Sequence, residues 1–346
     1  MNTILPFLQI FLFAITCLSA ASASAFEALP NTPPVPADNL ITPAKVELGK
    51  KLFFDPRISK SGTISCNSCH NVMGGGEDNR AHSVGVEGKI GGRSSPTVWN
   101  AAFQSVQFWD GRAASLEEQA KGPMTNPVEM GMTNHDLVVT RVAQIPGYKE
   151  EFTKVFGKDN SINIDNVAKA IATYERTLIT ANTPYDQFVK GKKNALSASA
   201  KRGFELVQSV GCVSCHSGPN FSGPTLPPGQ GFYQKFPVIG GTDYEKKYHL
   251  TEDQGRFSVT HQESDKNVWR VPTWRNISLT APYFHNGSVK TLDEAVRVMA
   301  KTQLSRDLNN EEVKNIVSFL ESLTGKFPDQ TMPRLPVTSG MTLLEE

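Results

Sequence analysis

What this chain lacks first is surplus charge. Its 35 Lys and Arg against 34 Asp and Glu leave a net charge of +1 at pH 7, which gives no reason to expect nucleic acid or an anionic membrane surface as a partner. The positive segment that usually opens an export signal is missing as well. Even so, Ile4 to Ala20 are almost wholly apolar and run into Ala21-Ser-Ala-Ser-Ala25, so a signal peptide over 1–25, cleaved after Ala25, is expected. An uncleaved anchor is disfavoured by the short apolar core and the small-residue exit. Lipid attachment through Cys17 is disfavoured by Thr16, which stands where Gly or Ala is wanted. Export places the mature chain in the periplasm.

Cysteine is scarce too, and its scarcity is informative. Of five Cys, Cys17 leaves with the signal, and the other four form two pairs in "ISCNSCH" (64–70) and "GCVSCHSG" (211–218). A redox disulfide needs no His after each pair, and a structural zinc site leaves both histidines unused across far too long a gap. Covalent haem c explains every residue. Cysteines three apart lie on one helical turn, where Cys66 with Cys69, and Cys212 with Cys215, reach the two vinyl groups of one porphyrin. The adjoining His70 or His216 then ligates the iron. Two haem c groups are therefore expected.

At 346 residues, 39% hydrophobic and 20% charged, the chain has room for two modest domains. Gly49-Lys-Lys-Leu-Phe53 precedes the first motif and Arg202-Gly-Phe-Glu-Leu206 the second, which suggests an internal duplication. Each half closes on an amphipathic helix: Val167, Ile171, Tyr174 and Leu178 in the first, and Val313, Ile316, Val317 and Leu320 in the second, where Asn309 and Glu312 cap and Gly325 stops it. The expected fold is mostly α, two cytochrome c-like haem domains in tandem with long loops. Residues 26–183 form the first domain, with a linker near 180–184; 184–330 form the second, and 331–346 a tail. Glycine-rich 74–92 and Gly/Pro-rich 218–241 read as functional covers, and the stretch after Lys326 as an extended strap.

Equal motifs give equal proximal sides, so any difference between the sites lies on the distal side. In "TLDEAVRVMAKT", Thr291 and Glu294 match a capping box, and Leu292, Ala295, Val296 and Met299 share one face. Met299 reads equally as a core residue or as a thioether ligand of the second iron. In "QFWDGRAASLEEQAKGP", a helix is expected from Ser115 to Gly122-Pro123. Glu117 is then either a solvated first-turn carboxylate or a proton carrier, with Gln107 as its amide neighbour. Trp109 is either core or a relay between cofactors.

The runs "LFFDPRISKSGTISCNSCHN", "RSSPTVWNAAFQSVQFWDGRAASLEEQAKGPMTNPVEM" and "VPTWRNISLTAPYFHNGSVKTLDEAV" resemble the bacterial diheme cytochrome c peroxidase family, which also contains the MauG-type maturation enzymes. The resemblance covers nearly the whole mature chain. It implies a peroxidatic haem on His70 and a high-potential haem, with axial His216 and Met299, that takes up electrons. It also implies Glu117 and Gln107 in the distal pocket, Trp109 between the haems, His285 near their edges, and one Ca²⁺ at the domain interface on Thr280 and Pro282. Ser94 stands where relatives place an Asn calcium ligand. Val86 stands where many relatives carry a His that caps the oxidised peroxidatic iron, and the nearby His82 would need a different loop path to replace it. His135, His249 and His261 read as surface residues.

The activity implied is reduction of hydrogen peroxide to water, with electrons from a small c-type cytochrome or a copper protein, by a homodimer. A MauG-like oxidase of a protein side chain is the alternative within enzymes, although that branch carries Tyr at the position of Met299. A diheme electron carrier without chemistry of its own is the alternative outside them.

Overall fold

The computed structural model describes residues 26–338 and 340. The expected signal peptide over 1–25 lies outside them, as do residue 339 and residues 341–346 of the expected tail. The helices are, in chain order, α1 (Pro43–Phe54), α2 (Cys66–Cys69), α3 (Leu116–Thr125), α4 (His135–Ala143), α5 (Pro146–Phe156), α6 (Ile164–Glu175), α7 (Pro184–Val189), α8 (Ala198–Ser209), α9 (Asp243–Lys247), α10 (Phe257–Thr260), α11 (Leu292–Leu304) and α12 (Asn310–Glu321). One small antiparallel sheet pairs β1 (Tyr233–Lys235) with β2 (Val268–Arg270). The protein is thus mostly α, and its loops are long.

The helices begin where short polar side chains can accept the first free amides. Ser115, Thr291 and Asn309 accept from the backbone N–H of Glu118, Glu294 and Glu312. At Asn309 the Glu312 carboxylate returns the bond, the reciprocal capping box that its sequence predicts. Two ends differ from expectation. α3 runs through Gly122 and Pro123 to Thr125, and α12 stops at Glu321, short of Gly325.

The two largest apolar cores among the described residues form where these helices pack. Leu48, Leu52 and Phe53 of α1 meet Val167, Ile171 and Tyr174 of α6, with Tyr148 and Phe152 of α5 closing the group. Val207 of α8 meets Ile316, Phe319 and Leu320 of α12 around Tyr185 and Phe221. Both pairs cross at a glycine. A methyl group at Gly49 would be driven into the Ala170 carbonyl, and one at Gly203 into the Asn315 carbonyl.

The expected linker is a hydrogen-bonded hub. Thr180 is wholly buried; its N–H donates to Asn100 Oδ1 at 2.9 Å, and its Oγ1 accepts from Asn100 Nδ2 and Asn276 Nδ2, each at 2.8 Å. The stretch after Lys326 does form a strap, and it returns to the first core. Phe327 packs edge-on against Trp99 at 4.6 Å, Tyr174 donates to Gln330 Oε1 at 2.9 Å, and Arg57 donates to the Pro336 carbonyl at 2.8 Å.

Candidate haem sites

α2 is a single turn opened by Ser65, whose N–H donates to Ser68 Oγ at 3.0 Å. The turn brings Cys66 and Cys69 to one wall of a cavity of about 510 Å³, with His70 beside them. Neither thiol is in a disulfide. Burial pushes Cys69 up to about 11 and Cys66 higher still, so both are protonated thiols at neutral pH. His70 Nδ1 lies 3.0 Å from the Pro96 carbonyl, a bond that fixes the tautomer and leaves Nε2 for a metal. Burial also lowers the His70 pKa and keeps the ring neutral, the form that ligates.

The second site repeats this arrangement. Cys212 and Cys215 flank a 3₁₀ turn and line a cavity with His216 and Met299. His216 Nδ1 lies 3.0 Å from the Phe221 carbonyl, and its ring stacks on Trp274 at 4.3 Å. Burial holds this imidazole down to about 4. The cavity volume is about 80 Å³, so the fit to haem c rests here on the donor set: two free thiols, a neutral imidazole and a thioether. The first site fits by donors and by volume.

Trp109 borders both cavities, with its indole N–H donating to the Ser94 carbonyl at 2.8 Å. His285 lines the second; it stacks on Trp269 at 4.1 Å, and its buried Nε2 has no partner. Arg270 lies at both cavities.

Helix α3 forms one wall of the first cavity through Leu116, Gln119, Ala120 and Pro123, the i, i+3, i+4, i+7 stripe of one helix face. Glu117 falls off that stripe, and here the structure corrects the sequence reading. Its carboxylate turns away from the cavity and grips Arg176 in a two-pronged ion pair, at 2.6 and 3.0 Å, while Asn39 donates to it at 2.7 Å. Burial alone would push this carboxyl up, but the bonds from Arg176 and Asn39 outweigh it and hold Glu117 at about 2. The structure thus places Glu117 in an ion pair behind the helix rather than on the cavity wall.

Gln107 does line the cavity, but its amide donates to the Ala101 and Gln104 carbonyls at 3.1 and 3.3 Å, so it braces a turn. Sequence reasoning missed two residues that share the wall, Gln119 and Glu129. Burial raises the pKa of Glu129, against a lowering pull from Arg112, and Asn126 donates to its carboxylate at 2.8 Å. Counting the helical stripe from Leu116 would have picked Gln119 over Glu117. Glu175, deeper in the cavity, is pushed up by burial to about 8.

Val86 is wholly buried, packed where Gly131 leaves room, and its N–H donates to the Glu129 carbonyl at 2.9 Å. Neither Val86 nor His82 lines the cavity, and His70 is the one histidine that does. His249 and His261 are exposed, as expected, whereas His135 is half-buried with Nε2 3.1 Å from the Lys121 carbonyl. No cluster of three or more His, Cys, Asp or Glu side chains suited to a metal occurs among the described residues. Thr280 and Pro282 sit beside Asn79, whose amide donates to the Ala281 carbonyl at 3.0 Å and to the Glu77 carboxylate at 2.7 Å. Glu77 is buried and thereby pushed up to about 7. Ser94 meets the other half through its N–H, which donates to the His285 carbonyl at 2.7 Å.

A model of the family described as di-haem cytochrome c peroxidase matches residues 43–194. The chain is 46% identical to the cytochrome c551 peroxidase of Nitrosomonas europaea, over 94% of each chain. To that of Pseudomonas aeruginosa it is 42% identical, over 99% of this chain and 98% of the other. The methylamine utilization protein MauG of Methylorubrum extorquens is 34% identical, over 93% of each. Among solved structures, a MauG-like protein associated with microbial copper homeostasis superposes with a TM-score of 0.76 at 25% identity, covering 89% of this chain and 96% of that one.

Proposed function

We propose, for a chain that belongs to the di-haem cytochrome c peroxidase family and carries two haem c groups as that family does, that hydrogen peroxide is reduced to two waters in the cavity beside His70. We propose further that this happens in the periplasm with electrons from a small c-type cytochrome or a copper protein. Haem c bound on Cys66, Cys69 and His70 would supply the redox-active iron against which the O–O bond breaks. Cys212, Cys215, His216 and Met299 would hold the other haem c, which would supply the centre at which electrons enter one at a time.

The reaction consumes two electrons and two protons, and the chain's own side chains handle the protons. The observation that carries the reading is Glu129: a carboxyl placed on the cavity wall, whose pKa burial raises, the direction that suits an acid asked to give a proton as well as take one. It replaces Glu117 in that role. Gln119, on the cavity face of α3, orients the peroxide by hydrogen bonding, and Gln107 holds the turn behind it. Trp109, bordering both cavities, is the relay between them. One Ca²⁺ at the interface would rest on the Thr280 and Pro282 backbone oxygens, with Ser94 contributing at most weakly, and Glu77 supplies the nearby buried acid. A homodimer is the assembly proposed.

The alternatives separate cleanly. Met299 lines the second cavity where MauG-type enzymes are expected to carry Tyr, which favours the peroxidase over an oxidase of a protein side chain. A cavity wall with a titratable acid favours an enzyme over a plain carrier. Steady-state oxidation of reduced cytochrome c by peroxide tests the assignment. Glu129→Gln is expected to lose about 10²-fold or more in kcat, the usual size of a general acid–base contribution, while Glu117→Gln keeps most of it. Full turnover by Glu129→Gln would refute the role.

A further inference from the structure

The two haem sites are built from one repeated segment, and the repeat shows how they came to differ. Pro96-Thr-Val-Trp-Asn100 reappears as Pro272-Thr-Trp-Arg-Asn276, and Gln107-Phe-Trp-Asp-Gly111 as Tyr283-Phe-His-Asn-Gly287, at the same spacing. The backbone repeats with them. Asn100 and Asn276 have φ of 62° and 59°, Phe108 and Phe284 of 68° and 71°, and Gly111 and Gly287 of 67° and 57°. Positive φ at a phenylalanine is uncommon, so its recurrence at matched positions is not a coincidence of composition. Each segment closes with an isolated antiparallel bridge, Gln107 with Ala113 and Tyr283 with Val289. Each then enters a helix capped by a hydroxyl, Ser115 for α3 and Thr291 for α11.

Carried along the two helices at this spacing, Leu116 matches Leu292, Gln119 matches Ala295, and Pro123 matches Met299. Pro123 lines the cavity with His70, and Met299 lines the cavity with His216. Past this point the helices part. α11 continues to Leu304, whereas α3 ends at Thr125. A proline inside a helix has no N–H to give and crowds the carbonyl one turn back. The helix runs two residues past Pro123, and its last carbonyls are taken up by a turn: Asn126 N–H donates to Gly122 and Pro123, and Met130 N–H to Pro123 at 3.2 Å. That turn carries Glu129 onto the cavity wall.

We propose that Pro123 is the residue that sets the first site apart: it occupies the ligand position of the repeat and offers the iron no donor there, while Glu129, from the turn that follows α3, supplies the polar group on that wall. The proposal rests on the reading of Met299 as a ligand. Met130 also borders the first cavity, but it is packed in the first apolar core and has no counterpart at the Met299 position.

The experiment is electron paramagnetic resonance, with spin counting, on the fully oxidised protein containing both haems. The wild type is expected to show one high-spin and one low-spin haem, and Met299→Ala to lose the low-spin sulfur-ligated species; a Met299→Ala spectrum unchanged from the wild type would refute the Met299 reading by itself. Pro123→Met is expected to give two low-spin haems, together with a doubled sulfur-to-iron absorption band. Pro123→Leu, which removes the proline without adding a sulfur, is expected to leave that band at wild-type intensity. Retention of the high-spin signal in Pro123→Met, with both haems bound and Met299 ligation intact, would overturn the proposal, as would a doubled band in the leucine variant. Should Pro123→Met accumulate poorly, the same count on the double variant Pro123→Met, Met299→Ala decides, with Pro123→Leu, Met299→Ala beside it: a sulfur-ligated haem present in the first and absent from the second comes from position 123, and one present in both or in neither overturns the proposal.

Discussion

Two neighbouring acids show how far environment decides the role of a residue. Glu117 and Glu129 lie on the same short stretch of chain, yet Arg176 and Asn39 hold the first near 2 while burial raises the second. For Glu117 the consequence is stability. Its folded pKa of about 2 lies below the ordinary value of 4.5, so its stabilisation is fully present above pH 4.5 and is lost as pH falls through 2. Glu117→Gln leaves the buried Arg176 unpaired, at an expected cost of about 3 kcal/mol near pH 7. Urea unfolding of the haem-bound protein should show that gap narrowing steadily from pH 4.5 downward. A gap independent of pH would mean that the pair does not carry the stabilisation. The sequence could not separate these two acids by type, because helix phase and a distant arginine do the separating. Glu117 and Arg176 are 59 positions apart, and only the fold brings them together.

At the scale of elements, the parts governed by local rules were legible. The haem turns, the caps at Ser115, Thr291 and Asn309 and the amphipathic faces of α6 and α12 follow from residues within a turn of one another. What depended on approach between distant segments was not. The 180–184 stretch reads as a linker from its Asn and Pro, yet Thr180 is locked by Asn100 and Asn276 from either side. The glycines in α1 and α8 likewise reveal themselves only in pairs of helices, where Gly49 admits the Ala170 carbonyl and Gly203 that of Asn315. Gly203→Ala therefore has to push α8 off α12, and overpacking against backbone is expected to cost roughly 3 kcal/mol. Gly240→Ala, whose added methyl would meet only the end of the Glu245 side chain at 3.8 Å, serves as the neutral control. Denaturant midpoints read both; equal midpoints would show that the helix crossing gives way more easily than its geometry implies.

At the scale of the whole molecule, the two sites meet at Trp109 and Arg270. Arg270 ends β2 inside the protein, with its guanidinium bordering both cavities. It donates to the Phe108 carbonyl at 3.0 Å and to the Val271 carbonyl at 3.3 Å. The equally buried Arg176 and Arg275 each hold a carboxylate, Glu117 and Asp186, but no acidic side chain among the described residues is ion-paired with Arg270. Burial lowers it to about 10, which still leaves it charged at neutral pH. A buried cation without a protein anion invites an anionic group on its ligand, and the propionates of haem c are such groups. A positive charge bordering both cavities would stabilise the reduced form of a haem held in either. Arg270→Gln should therefore lower both midpoint potentials, by about 1 kcal/mol or roughly 40 mV per haem for a charge at such range and an intermediate dielectric. Arg270→Lys, which keeps the charge, should restore most of the loss. Spectroelectrochemical titration resolves the two haems separately, and a shift confined to one of them would show that Arg270 serves a single site rather than the junction of both.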